Sequence, residues 1–106
     1  MNNIELLPKE LKLPEAANHV IQKVLSGVEP DVVKTWVENL QIKDGRVIGT
    51  FYSDLGARLP FNGFVALYEA LGYRFSTMDT WMDWWCYGAL GCTRQPGYTC
   101  DPDRCP

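Results

Sequence analysis

The position of the cysteines constrains the fold of this chain more than any other feature. The sequence of 106 residues holds four of them, spaced C-x5-C-x7-C-x4-C, and all lie at the C-terminal end. Such crowding indicates that the four act together and are not separate buried thiols. They are Cys86, Cys92, Cys100 and Cys105.

Two structures fit this spacing, and the sequence leaves both open. Four thiolates suit a tetrahedral Zn²⁺, which would clip a segment with little core of its own. Only Cys100 and Cys105 approach the short spacing of a zinc knuckle, with Pro102 between them. An even number of cysteines among Pro and Gly is also typical of two disulfides, in any of three connectivities. Zinc is therefore the one cofactor considered, and as an alternative to disulfides.

Other uses of the cysteines are less well supported. In the precursor of a modified peptide, a leader binds the modifying enzyme and the Cys-rich end is cut off, with Thr93 and Thr99 as further modified residues. A catalytic cysteine needs a neighbouring base, and the single histidine, His19, lies far off in the sequence on a predicted helix, where we expect it to be solvated. The chain also lacks phosphate-binding loops, dinucleotide fingerprints and hydrolase motifs, so we predict no enzymatic activity.

Hydrophobic periodicity predicts an α+β fold with about four helices, a small antiparallel hairpin or three-stranded sheet, and an irregular Cys-rich tail. Asp44-Gly45 suits the type I′ turn of a hairpin. Asn62 is a candidate N-cap for the third helix, and Gly72 would end it. The predicted elements are helices over about 14–26, 30–40, 62–72 and 77–88, hairpin strands over 40–43 and 46–52, and a third strand over 73–76.

The length fits a single domain, 1–106. Within it we distinguish a possible arm over 1–13, a core over 14–90 and the Cys-rich tail over 91–106.

The last predicted helix holds most of the tryptophans. Trp84 and Tyr87 lie three residues apart and would be neighbours on its surface. Asp79 and Asp83 would lie beside them, where negative charge also favours a helix N-terminus. The remaining apolar residues form a stripe that we interpret as the packing face of the helix: Met78, Trp81, Met82, Trp85 and Ala89.

An outward-facing aromatic pair indicates a binding surface, since Trp and Tyr are common interface anchors. We therefore predict a non-catalytic protein-binding module, a small regulatory or inhibitory protein that acts on another protein. Its binding residues would be Trp84, Tyr87, Asp79 and Asp83. Cover by the Cys-rich tail and a homodimer contact are the alternative explanations of the same pair. A structural zinc protein is the alternative function.

Charge argues against nucleic acids and membranes. The formal net charge is -3, and no run of Lys and Arg supplies a basic face. The order of two helices and a hairpin resembles a winged helix-turn-helix, in which Lys34, Lys43 and Arg46 would contact phosphates. No apolar stretch approaches the ~20 residues that cross a bilayer. Since Met1–Glu5 lacks the features of a secretory signal, we expect a cytoplasmic protein.

Overall fold

The structure, a computed structural model, describes residues 7–74 and 80–105. In these residues the chain forms four α-helices and a four-stranded antiparallel sheet, which confirms the predicted α+β class. The helices are α1 (Glu15–Leu25), α2 (Pro30–Glu38), α3 (Ser53–Gly56) and α4 (Phe61–Ala70). The strands are β1 (Gln41–Lys43), β2 (Arg46–Phe51), β3 (Met82–Cys86) and β4 (Cys92–Cys100).

The helices largely follow the apolar periodicity of the sequence. α1 buries Ile21 and Leu25, and α2 buries Val33 and Trp36. α3 lies between the predicted strand over 46–52 and the predicted helix over 62–72, where no helix or strand was predicted.

The start of α4 differs from the prediction, although its end agrees. The expected N-cap, Asn62, already lies inside the helix, because Pro60 occupies the capping position. The Asn62 side chain instead accepts a hydrogen bond from the Gly63 N–H at 2.9 Å. Gly72 follows the helix with φ of +100°, a left-handed conformation that glycine adopts without strain.

The predicted hairpin is present as β1 and β2. Asp44 and Gly45 both have positive φ, 53° and 80°, as a two-residue type I′ turn requires. The Lys12 N–H donates to the Gly45 carbonyl at 2.8 Å, so the segment before α1 lies against this turn.

The last predicted helix is wrong in the part that the structure describes, because Met82–Cys86 is strand β3. The predicted irregular tail is also wrong, since Cys92–Cys100 is strand β4. Most residues around the tryptophans are apolar, so a helical stripe can be drawn through a segment whose backbone pairs in a sheet. A third strand was predicted over 73–76, and its second half lies outside the described residues. Its first half, Tyr73 and Arg74, belongs to neither a helix nor a strand.

The sheet has the order β1-β2-β4-β3, so β4 is an inner strand. Bulges interrupt the pairing of β1 with β2 and of β3 with β4. The two outer strands are linked by a side chain, since Gln41 Nε2 of β1 donates to the Cys86 carbonyl of β3 at 2.9 Å. The main core lies between the helices and one face of this sheet, with Val47 as its buried β2 residue.

A second, smaller core surrounds the cysteines. Ile48, the extra residue of the β1–β2 bulge, packs there with three buried cysteine side chains. Trp84 and Cys92 cover this cluster as partly buried residues. Across 7–74 and 80–105, no helix is both long enough and apolar enough to span a membrane.

Candidate functional site

All four cysteines are paired in disulfides, which is one of the two predicted alternatives. Cys86 is bonded to Cys105, and Cys92 is bonded to Cys100. The Cα atoms are 5.9 Å apart in both pairs. Cys86 and Cys92 also face each other in the β3–β4 ladder, so both disulfides attach to the last residue pair of that hairpin.

The hairpin beyond this pair ends in a compact tip, residues 87–91. Its centre is a 3₁₀ turn, Gly88–Leu90, and Gly88 and Gly91 have positive φ. The Tyr87 N–H donates to the Gly91 carbonyl at 3.0 Å, and the Gly91 N–H donates to the Gly88 carbonyl at 2.8 Å. The tip is therefore held by its own backbone hydrogen bonds in addition to the disulfides at its base.

The tip carries two exposed hydrophobic side chains. Tyr87 is 44% exposed and Leu90 is 80% exposed. The Tyr87 hydroxyl donates to Gln95 Oε1 on β4 at 3.1 Å, which restrains the ring. The restrained tip thus presents two large side chains, three residues apart, to water.

Trp84 does not lie beside Tyr87 on a helix, as had been predicted. Its ring contacts Trp81 edge-to-face, with 5.0 Å between centroids, and covers the small core around the cysteines. Across the ladder, Arg94 extends over the ring at 6.0 Å from its centroid, at the limit of a cation–π contact. Trp84 is thus part of the packing at the base of the tip.

Asp83 joins two segments. Its Oδ1 accepts hydrogen bonds from the Tyr52 hydroxyl at 2.7 Å and from the Gly97 N–H at 2.9 Å. The hydrogen bond from Tyr52, followed by that from Gly97, lowers the pKa of the Asp83 carboxyl. The pKa of the Tyr52 hydroxyl is raised to about 12, first by burial and then by its hydrogen bond to Asp83. Asp79, the other predicted carboxylate, lies outside the described residues.

Three aromatic residues that the sequence did not single out for binding form a strip across the sheet. Tyr98 contacts Phe51 at 5.0 Å and Trp85 at 4.6 Å between ring centroids. Their strand neighbours Thr50 and Thr99 bond to each other, and Thr50 also bonds to Tyr68 of α4, so Phe51 and Tyr98 lie on the face away from that helix. All three rings are half-buried.

Leu90 was also missed. A leucine between glycines and flanked by two cysteines was the available signal, but the helical interpretation concealed it. His19 is exposed on α1, as expected, 3.8 Å from Glu15.

Among the described residues, the sulfurs of Cys86, Cys100 and Cys105 form one group whose spacing, within 4.8 Å of one another, would allow a shared metal ion if the disulfides were reduced. Comparison of the chain with protein-family models, curated proteins and solved structures gives no match.

Proposed function

We propose that the chain is a non-catalytic domain that binds another protein through the tip of the β3–β4 hairpin. The observation that carries this proposal is the exposure of Tyr87 and Leu90 on a turn whose base is attached to two disulfides. A restrained surface loses little conformational entropy when it is bound, so a small contact gives more affinity than the same residues on a loose loop. Regulation or inhibition of the partner is the activity that such a domain would have.

Of the predicted binding residues, the proposal retains Tyr87, and it adds Leu90. Trp84 supports the base of the tip, and Asp83 holds β3 against β4 through its bond to Gly97. The surface is apolar, which suits a partner with a hydrophobic pocket. A homodimer through the same tip remains one form of this proposal.

The other predicted functions have weaker support. A precursor cleaved before its Cys-rich end would lose β4, an inner strand, together with the fully buried Thr99. A winged-helix protein would offer α2 to DNA, yet that helix exposes Asp31 and Glu38 around Lys34.

The disulfides bear on location. Disulfides persist in oxidising compartments and are rare in the cytosol. They therefore favour an oxidising compartment over the predicted cytoplasm for the bonded form, whereas in the cytoplasm the same cysteines would be thiols.

Affinity capture with matched variants tests the binding proposal. Immobilised wild-type protein should retain a specific partner, and the double variant Tyr87→Ala/Leu90→Ala should lose at least about tenfold in affinity, since truncating interface anchors costs about 2 kcal/mol or more. Because both side chains are exposed, the melting temperature of the variant should stay close to that of wild type.

Val20→Ala is the control, since it removes a partly exposed apolar side chain of α1, outside the hairpin. A partner retained equally by all three proteins would contradict a role for the tip. A large fall in the melting temperature of the double variant would show that the tip is part of the packing.

A further inference from the structure

The two disulfides lie against each other. The sulfurs of Cys86, Cys100 and Cys105 are mutually within 4.8 Å, although they belong to two different bonds. The fourth sulfur, that of Cys92, lies outside this group of three but is bonded to the Cys100 sulfur. Sulfurs that the sequence spreads over twenty positions are thus brought into one cluster, with Cys92 at its edge.

This convergence matches the dimensions of a metal site. In a tetrahedral zinc centre the Zn–S bond is about 2.3 Å, which places the sulfurs about 3.8 Å apart. Breaking the two S–S bonds lets each bonded pair separate to that distance, while the Cys86 and Cys105 sulfurs each have to approach that of Cys100 by about 1 Å at most. The Cys92 sulfur, which lies outside that group of three, has to move further. We expect rotation about the cysteine side chains to supply these movements.

Backbone hydrogen bonds hold the cysteines in place independently of the disulfides. Cys86 and Cys92 are partners in the β3–β4 ladder, and Cys100 pairs with Gly49 of β2. The turn that carries Cys105 is docked by the Asp101 N–H, which donates to the Ile48 carbonyl at 2.9 Å. Reduction therefore leaves four thiols on a backbone that already brings them together.

The surroundings favour a closed structural site. The Cys86, Cys100 and Cys105 side chains are buried, and Trp84 covers them. The buried Asp101 carboxylate is already used, since it accepts from Arg104 Nη1 at 2.6 Å and from the Asp103 N–H at 3.1 Å. The four sulfurs are thus the donor set that this pocket offers to a soft, tetrahedral ion.

We propose that the reduced chain binds one Zn²⁺ through Cys86, Cys92, Cys100 and Cys105, and that oxidation exchanges the metal for the two disulfides. Four thiolates each give up one electron to form two S–S bonds, and Zn²⁺ is released. Two equivalents of a low-molecular-weight disulfide accept the four electrons and, with four protons, become four thiols. The zinc ion and the disulfides would each link the cysteines at the base of the β3–β4 hairpin. The zinc proposal therefore stands whether or not the tip binds a partner.

The test uses the full chain, reduced with a phosphine and kept free of oxygen. Added Co²⁺ should give the intense charge-transfer absorption of a tetrahedral thiolate site, and Zn²⁺ should abolish that absorption by displacing Co²⁺. Native mass spectrometry should show one zinc per reduced chain and none on the oxidised chain. Two equivalents of oxidised glutathione should then release the zinc.

Single-cysteine variants identify the ligands. Cys92→Ser and Cys105→Ser should each weaken Zn²⁺ binding at least about 100-fold, since even the loss of an outer-shell partner costs about 10–100-fold. His19→Ala, the control, should bind like wild type, because His19 is exposed on α1.

Circular dichroism shows whether the reduced chain is folded with and without Zn²⁺. A reduced chain that is unfolded without metal and regains the spectrum of the oxidised protein with Zn²⁺ supports the site. A reduced chain that takes up no zinc, folded or unfolded, overturns it, as does zinc binding that neither cysteine variant weakens.

Discussion

Gly49 has less room for a side chain than Gly97, the other glycine that lies in a described strand. An added Cβ would lie 2.9 Å from Gln41 Oε1, 3.0 Å from the Trp85 ring and 3.1 Å from the Thr99 carbonyl. The Gln41 amide can move, but the carbonyl belongs to the inner strand β4 and the ring is packed against Tyr98. Glycine is required at position 49 because only a residue without a Cβ leaves room for the Trp85 ring and the Thr99 carbonyl.

We predict that Gly49→Ala lowers the free energy of unfolding by about 1–3 kcal/mol, the usual cost of overpacking. Urea unfolding of the oxidised protein measures it. Gly27→Ala is the control, because a Cβ at Gly27 meets nothing within 4 Å. Equal stability of Gly49→Ala and wild type would mean that Trp85 does not lie over Gly49.

At the scale of the element, β3 shows how one segment satisfies two different patterns. Its apolar residues fit a helical stripe, yet a bulge at Asp83, with φ of 71°, sets the register that pairs Trp84 with Arg94 and Met82 with Thr99. Aspartate is one of the residues that tolerate this conformation. Its carboxylate also fixes the bulge by accepting from Gly97 on β4 and from Tyr52 after β2.

The stability that Asp83 contributes should depend on pH. Its pKa is lowered in the folded state from a usual value near 3.8, so the contribution is present above that value and is lost as the pH falls through the lower folded-state pKa. Asp83→Asn keeps an oxygen that can accept both hydrogen bonds and tolerates positive φ, but it does not titrate.

We therefore predict that between about pH 5 and pH 2 the free energy of unfolding of wild type falls more steeply than that of Asp83→Asn. Denaturant unfolding at a series of pH values measures the two slopes. Tyr52→Phe removes the first cause of the pKa shift and should reduce the slope as well. Identical slopes for wild type and Asp83→Asn would contradict the role of this carboxylate.

At the scale of the whole molecule, a buried chain of hydroxyls connects the helices to the inner strands. Thr50 Oγ1 lies 2.6 Å from the Tyr68 hydroxyl and 2.7 Å from Thr99 Oγ1. Trp36 Nε1 donates to the Tyr68 hydroxyl at 3.4 Å, and Thr99 Oγ1 donates to the Tyr73 hydroxyl at 3.5 Å. Burial is the largest effect on Tyr68 and raises its pKa to about 12, so the network is neutral at ordinary pH.

Thr50 and Thr99 suit a double-mutant cycle, because they are cross-strand partners as well as hydrogen-bonded. We predict that Thr50→Val and Thr99→Val each cost about 1–3 kcal/mol, because each leaves buried hydroxyl groups with fewer hydrogen bonds than they can make. The double variant should cost less than the sum by about 0.5 kcal/mol or more.

Urea unfolding of the four proteins measures the cycle. Thr93→Val, at an exposed position of the same strand β4, should change stability by no more than about 0.5 kcal/mol. Strict additivity of Thr50→Val and Thr99→Val would show that the two hydroxyls are not coupled.

The sequence by itself determined the elements that depend on neighbouring residues. Asp44-Gly45 specified the β1–β2 turn, and the apolar spacing specified α1 and α2, because turn geometry and helix faces are local properties. The crowded cysteines also predicted a joint role for the four sulfurs.

Only the tertiary structure decided the form of residues 82–100. A strand is defined by its hydrogen-bonding partner, and the partner of β4 on one side is β2, about fifty residues earlier in the chain. The pairing of the cysteines and the exposure of Tyr87 and Leu90 follow from that arrangement. The residues predicted to form a helix surface therefore lie in a hairpin, with Trp84 in its base and Tyr87 in its tip.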